Sequence, residues 1–374
     1  MAQIFKQFWG KEEILWHDGR PMNQEPKIKV VVVGASGYTG QELLRLLIMH
    51  PLVDLVGITS RQESGRPIGE LYPRFSGAPG IENLRFMDPD IDAIVETGAT
   101  CAFLALPHGV AYEFAGALLD RGLKVIDLSA DFRLRSADVY REFYEHEHPA
   151  PELLKDAVFG LPEIYRDEIS SASLVASPGC YPTSILIPLI PLVKAGLVNP
   201  DTITVSSVSG ASGAGKKADT SLLFTEVNES VRAYGAPKHR HLSEIEQELS
   251  NAAGREVVIS FVPHLMPVNC GIATTIFAEL SVAPDKAGGM VDRELRDFYK
   301  DACFVRILGE NAFADTKNVT RTNFVDVGWV VDPRTKRLIV SSAEDNLGKG
   351  AGGQAIQSFN VMNSLPEDIG LRNY

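Results

Sequence analysis

The chain has 374 residues, 45% of them hydrophobic and 22% charged, enough for two ordinary domains with buried cores. Its formal charge of −12 disfavours nucleic acid or an anionic membrane as the main partner, while a local basic cluster could still hold a small anion. The scattered cysteines (Cys101, Cys180, Cys270, Cys303), the lack of an apolar run near the membrane-spanning length and the absence of a signal or transit pattern point to a soluble cytoplasmic protein without disulfides or structural zinc.

Residues 1–27 read as an extension outside the fold, partly helical at most. Residues 28–34 form a β-branched run suited to a buried parallel strand, and a glycine-rich turn follows. Apolar positions at helical spacing predict a helix over 41–50, stopped by Pro51. Further strands are expected at 53–58, 101–106 and 124–128, with a helix over 111–121 between the last two. This alternation predicts an α/β fold, a Rossmann-type doubly wound parallel sheet. Beyond residue 178 the strands lengthen and alternate: 202–209, 256–262, 271–280, 324–331 and 338–342. They predict a second α+β domain with a mixed or antiparallel sheet. The last segment, 348–365, is glycine-rich and then helical, and could return to the first sheet.

Gly34-Ala-Ser36-Gly37-Tyr38-Thr39-Gly40 lies between a strand and a helix. Such glycines permit a tight turn and close backbone approach, and the helix start offers N–H groups to a pyrophosphate. An NAD site would usually place an acid at the end of the second strand, but this chain has Thr59-Ser60-Arg61-Gln62. Hydroxyls and an arginine suit a 2′-phosphate, so the expected cofactor is NADP(H), although Arg61 could equally be a solvated loop residue. On this reading 28–178 is the NADP-binding domain, completed by 346–374, and 179–345 is the second domain.

Ser177-Pro-Gly-Cys180-Tyr-Pro182-Thr-Ser184 precedes an apolar run, and Pro182 fits the first turn of a helix. Cys180 would stand at that helix start, where the dipole favours thiolate and free N–H groups could hold an oxyanion. The other three cysteines suit the inert, buried alternative. Lys238-His239-Arg240-His241 opens a helix-like stretch over 242–249, and with Lys216-Lys217 it could bind a phosphorylated substrate. One of its imidazoles could serve as acid or base, or the run could be merely a solvated helix start. Ser209-Gly210-Ala-Ser-Gly-Ala-Gly215 could form an anion nest or a connector. His108 could line the cofactor cleft or pack a loop. His17 and His50 look peripheral, and His146 and His148 make a poor case for a metal; none is expected.

These motifs carry a resemblance. GASGYTG at 34–40, LSADFRL at 128–134, SPGCYPTS at 177–184, SGASGAGK at 209–216, HRHLSEI at 239–245 and DNLGKGAGGQAIQ at 345–357 resemble the N-acetyl-γ-glutamyl-phosphate reductase family, within the aspartate-semialdehyde dehydrogenase superfamily. The likeness spans roughly residues 28–374. It implies Cys180 as nucleophile and a histidine of the HRH motif as acid/base, His241 preferred and His239 the fallback. It further implies Arg133 as a substrate or phosphate contact and Asn346 with its neighbouring glycines as NADP contacts. Ser209, Gly210, Lys216 and Arg240 complete the expected substrate site. The implied reaction reduces an acyl phosphate to an aldehyde through a cysteinyl thioester, in arginine biosynthesis. A homodimer or homotetramer built through the second-domain sheet is also implied. Gly352 stands where such motifs carry alanine, a change expected to loosen the helix start. Aspartyl phosphate or a carrier-bound aminoadipyl phosphate are alternative substrates, and a non-catalytic NADP-binding regulator is the alternative from another class.

Overall fold

The computed structural model describes residues 26–372, so the expected extension lies outside the described residues apart from its last two. Val30 to Val33 are fully buried, as a strand covered on both faces requires. They form most of β1 (Ile28–Val33). Around it lie β2 (Val53–Thr59), β3 (Phe86–Met87), β4 (Cys101–Leu104), β5 (Lys124–Asp127), β6 (Ala157–Phe159) and β7 (Leu174–Ala176). All pair in parallel, in the order β3-β2-β1-β4-β5-β7-β6. Strand order therefore reverses between β1 and β4. Crevices beyond the carboxyl ends of strands at such a switch point are where ligands bind in this architecture. Helix α1 (Tyr38–Met49) begins in the glycine turn, three residues before the expected start. Its Leu43, Leu44, Leu46 and Leu47 pack on the sheet. Helices α2 (Ile91–Glu96), α3 (Tyr112–Asp120), α4 (Ala137–Tyr144) and α5 (Pro162–Ser171) follow.

The second sheet contains β8 (Val198–Gly210), β9 (Arg232–Ala233), β10 (Ser260–Met266), β11 (Ile272–Leu280), β12 (Val305–Glu310), β13 (Val325–Asp332) and β14 (Arg337–Glu344). Its order is β12-β13-β14-β11-β8-β10-β9. β8–β10 and β12–β13 are parallel and the other pairs antiparallel, so the sheet is mixed. The strand expected from residue 256 begins only at Ser260.

Helix α6 (Cys180–Lys194) packs on this sheet with α7 (Leu242–Ala253) and α8 (Pro284–Phe298). It is apolar nearly throughout and carries Pro188 and Pro191 in its interior. Each proline removes one N–H and so frees the carbonyl four residues earlier. Both freed carbonyls are satisfied: the Ser342 hydroxyl donates to Ser184 O at 2.6 Å, and the Tyr299 hydroxyl donates to Ile187 O. These bonds tie the helix that begins at Cys180 to β14 and to the end of α8.

Helix α9 (Gly353–Met362) returns to the first sheet, where Ala355, Ile356 and Phe359 join the core of β1 and β4. A π-helical turn, Gly348–Gly352, precedes it, and a Cβ at Gly352 would lie 3.3 Å from Glu42 Cγ. The glycine thus lets this turn sit close to α1. His50, expected to be peripheral, is instead 2% exposed and hydrogen-bonds Asn360 Oδ1 at 3.0 Å beneath α9. Burial pushes its imidazole down to about 4.

Replacing Tyr299 by phenylalanine keeps the ring and removes the donor. With Ile187 O left unpaired in the core, Tyr299→Phe should lose about 1–3 kcal/mol of stability. Equilibrium urea unfolding measures this, and an unchanged midpoint would remove the bond from the account of how α6 is anchored.

Candidate active site

A cavity of about 730 Å³ opens beyond the carboxyl ends of β1, β2 and β4. Its walls come from the 34–40 turn, the end of β2, the start of α6, the loop after β8, the start of α7 and the 346–351 turn.

The glycine turn fits a dinucleotide. Gly34 has φ +87°, and a Cβ there would stand 2.5 Å from Ala105 O. A Cβ at Gly40 would strike Ala35 Cα at 2.7 Å, so this glycine lets α1 close on the strand end. Gly37 is different: a Cβ there meets nothing within 4 Å, because it faces the cavity. The helix start at Gly37, Tyr38 and Thr39 is therefore open to a pyrophosphate. Ser36 accepts from Ser60 at 3.0 Å, which links the turn to the end of β2. Thr59, Ser60, Arg61 and Gln62 line the cavity there. Arg61 makes an exposed contact to Glu113 at 3.2 Å.

Cys180 is the first residue of α6, and Gly179 caps it. His241 packs on that cap: a Cβ at Gly179 would lie 2.6 Å from His241 Nε2. Cys180, His241 and Gly179 all line the cavity. His239 does not. Its ring lies against Tyr181, Tyr234 and Phe261, and its Nδ1 accepts from the His241 N–H at 3.2 Å. His108 both lines the cavity and braces a loop, accepting from Ala130 N at 3.1 Å.

The expected standing thiolate is not what the site favours. Burial, and then the nearby Glu344, push the Cys180 thiol up to about 12. The helix start does not outweigh these. His241 goes the other way: burial and the charges of its neighbours hold its imidazole well below the usual range. Both directions favour the uncharged pair, a half-buried thiol near an imidazole.

Arg133 is more a strut than a free ligand group. Its Nε donates to Ser177 O at 2.8 Å, Nη1 to Glu244 at 2.9 Å and Nη2 to Leu128 O at 2.9 Å. Glu244 is fully buried, and its other oxygen accepts the Gly179 N–H at 2.8 Å. Asn346 lines the cavity with its amide engaged, donating to Ser212 Oγ at 2.9 Å and accepting from Gly271 N at 2.8 Å. It thereby holds the 211–214 turn. Lys216 and Arg240 line the cavity and are exposed. Ser209 and Gly210 do not line it. β8 runs on through both, pairing them with Ile272 and Met266, and a Cβ at Gly210 would strike Asn269 O at 2.4 Å. They belong to the ladder, and the turn after them forms the wall.

Among the described residues, the cavity lining contains five cations, Arg61, Arg133, Lys216, Lys217 and Arg240, and no carboxylate. In a chain of charge −12 this is a marked segregation. Sequence reasoning assigned no part to Glu244, Glu344 or Ser177, whose buried hydroxyl has no protein partner. Only Glu244 left a signal, as an acid in the first turn of α7.

Glu244→Ala would strand a buried guanidinium and free the Gly179 N–H. A loss of about 3–5 kcal/mol is expected from breaking such a pair, together with loss of Cys180 reactivity. Urea unfolding and thiol labelling measure the two effects, and a change below about 1 kcal/mol would contradict the strut.

Two family models match the chain: the semialdehyde dehydrogenase NAD binding domain over residues 29–172, and the semialdehyde dehydrogenase dimerisation domain over residues 180–346. An N-acetyl-γ-glutamyl-phosphate reductase from Akkermansia muciniphila is 60% identical over 345 residues, 92% of this chain and 99% of that one. One from Geotalea daltonii is 48% identical over 347 residues, 92% and 98% of the two chains. Among solved structures, aspartate semialdehyde dehydrogenase II from Vibrio cholerae aligns with TM-score 0.67 at 17% identity, covering 90% of this chain and 99% of that one. Aspartate semialdehyde dehydrogenase with NADP from Candida albicans aligns with TM-score 0.64 at 16% identity, covering 92% and 99%. At those identities the likeness is one of fold, and with the family models and the sequence relatives it leads to one assignment: the chain belongs to the N-acetyl-γ-glutamyl-phosphate reductase family of the semialdehyde dehydrogenases.

Proposed function

We propose that the chain reduces N-acetyl-L-glutamyl 5-phosphate to N-acetyl-L-glutamate 5-semialdehyde with NADPH, releasing phosphate, as a step of arginine biosynthesis in the cytoplasm. The observation that carries this is the carboxylate-free, cation-lined cavity, which joins the glycine turn to Cys180 and His241. It suits two anionic ligands at once, a dinucleotide and a phosphorylated acyl group. The sequence relatives bear the name of this activity. Among the described residues no helix is long and apolar enough to cross a membrane.

In this reading the 34–40 turn holds the pyrophosphate, and Ser60 and Arg61 hold the 2′-phosphate. Arg61 would exchange its exposed contact with Glu113 for that group. Lys216 and Arg240 receive the acyl phosphate. Arg133 and Asn346 shape the walls they stand in, Arg133 by fixing the backbone at Ser177 and Asn346 by fixing the 211–214 turn. Residues 28–178 with 346–374 serve the cofactor, and 179–345 supply the nucleophile and the contacts of a homodimer or homotetramer.

The Cys180 sulfur attacks the acyl carbon as its proton passes to His241. The neutral imidazole can accept that proton because the substrate phosphate offsets the charge it acquires. The carbonyl oxygen turns towards the N–H groups at the start of α6, phosphate leaves, and a thioester remains on Cys180. NADPH, held by the 34–40 turn with Ser60 and Arg61, would supply the hydride for the thioester carbonyl on Cys180. The resulting hemithioacetal on Cys180 collapses to the aldehyde, and the sulfur leaves as thiolate and regains a proton through His241. Sulfur suits both roles, since it attacks well and leaves well.

Two outcomes test this. Run in reverse with phosphate and NADP, N-acetylglutamate semialdehyde should be oxidised in preference to aspartate semialdehyde, with NAD a poor substitute. Cys180→Ser should lose nearly all turnover while still binding NADPH. Preference for another semialdehyde would move the substrate assignment, and robust turnover in the serine variant would reject covalent catalysis at this residue.

The acid limb of the rate also follows. His241 must be neutral to take the thiol proton, and its folded pKa lies well below the ordinary 6.5. kcat/KM should therefore hold as pH falls through 6.5 and fail only in more acidic buffer. His241→Asn should lower kcat roughly 10²–10⁴-fold. If His239→Asn shows that loss instead, the acid/base assignment passes to His239.

A further inference from the structure

Glu344 ends β14 and is 0% exposed, and neither of its carboxyl oxygens has a protein hydrogen-bond partner. It has no part in the mechanism above, yet it stands next to the nucleophile. A Cβ on Gly350 would lie 2.7 Å from Cys180 Cβ and 2.9 Å from Glu344 Oε1. A single glycine thus fills the space between the acid and the cysteine, and its lack of a side chain allows that closeness.

The surrounding charges leave the carboxyl without a counter-ion. Lys349, fully buried in the same turn, donates to Glu163 and to Gln357 at 2.7 Å each. Asp345 and Glu163 add negative charge from the neighbouring residue and from α5. Arg133 and Glu244, whose charges also act on Cys180, pair with each other at 2.9 Å. An ionised carboxylate buried without donors is costly, so the acid keeps its proton. Burial leads that effect, Lys349 opposes it, and Asp345 and Glu163 add to it.

We propose that Glu344 is a positioning residue for Cys180: a neutral acid set behind the nucleophile that holds the thiol in its protonated, unreactive form once it loses its own proton. While Glu344 is neutral, no charge stands behind the sulfur and His241 can draw the proton away. Once Glu344 is ionised, its charge opposes the thiolate across Gly350. The two groups therefore titrate as a coupled pair. The inference rests on the reading of Cys180 as the nucleophile.

The test is the pH dependence of iodoacetamide labelling at Cys180, read by peptide mass on the full chain without cofactor. In Glu344→Gln the labelling curve should move to lower pH, with about tenfold faster labelling at a given alkaline pH for each unit of displacement. Glu344→Asp withdraws the carboxyl by one methylene and should move the curve the same way by less, which keeps the test available if the glutamine variant fails to fold. Curves that superimpose on the native one would overturn the proposal. That result is distinguishable from failure of the nucleophile reading, which would show as turnover in Cys180→Ser whatever the labelling curves do.

Discussion

The buried Glu244 carboxylate is the point from which the rest of the site hangs. One of its oxygens accepts from Arg133 and the other from the N–H of Gly179. Arg133 comes from the loop after β5 in the first sheet, Glu244 from α7 over the second, and Gly179 from the start of α6. One ion pair thus ties three elements together at the start of α6. A carboxylate so deep is tolerable because both oxygens are engaged and a full opposite charge is within contact. The His241 ring packs on the same glycine, so the imidazole, the helix cap and Cys180 share one reference frame.

Charge is the second constraint. The chain is strongly acidic, yet the acids near the cavity are held behind its wall: Glu244 against Arg133, Glu163 against Lys349, and Glu344 behind Gly350. The face presented to a ligand is cationic. Burial also favours the uncharged forms of Cys180 and His241.

Much of this was legible in the residues, for physical reasons. The glycine spacing at 34–40 translates directly into backbone approach, and each of the three glycines occupies the kind of place that its lack of a side chain permits. The helix start at Cys180 followed from Pro182 and the apolar run after it. The short strands β3, β6, β7 and β9 were not legible, because two or three residues carry no periodicity and exist only through pairing. Ser209 and Gly210 looked like part of an anion loop, but β8 continues through them. His50 looked peripheral because its burial comes from α9, far along the chain. The thiol's ionisation misled for the same reason: the helix start is local and visible, whereas the burial that opposes it is assembled only by folding.

The central claim is that Cys180, held at the α6 cap, forms a covalent acyl intermediate. Mixing the enzyme with N-acetylglutamyl phosphate in the absence of NADPH, quenching in acid and mapping peptides by mass addresses it directly. The account requires an N-acetylglutamyl adduct on the peptide that contains Cys180. Full occupancy of substrate with no adduct there, or an adduct on another residue, would contradict it.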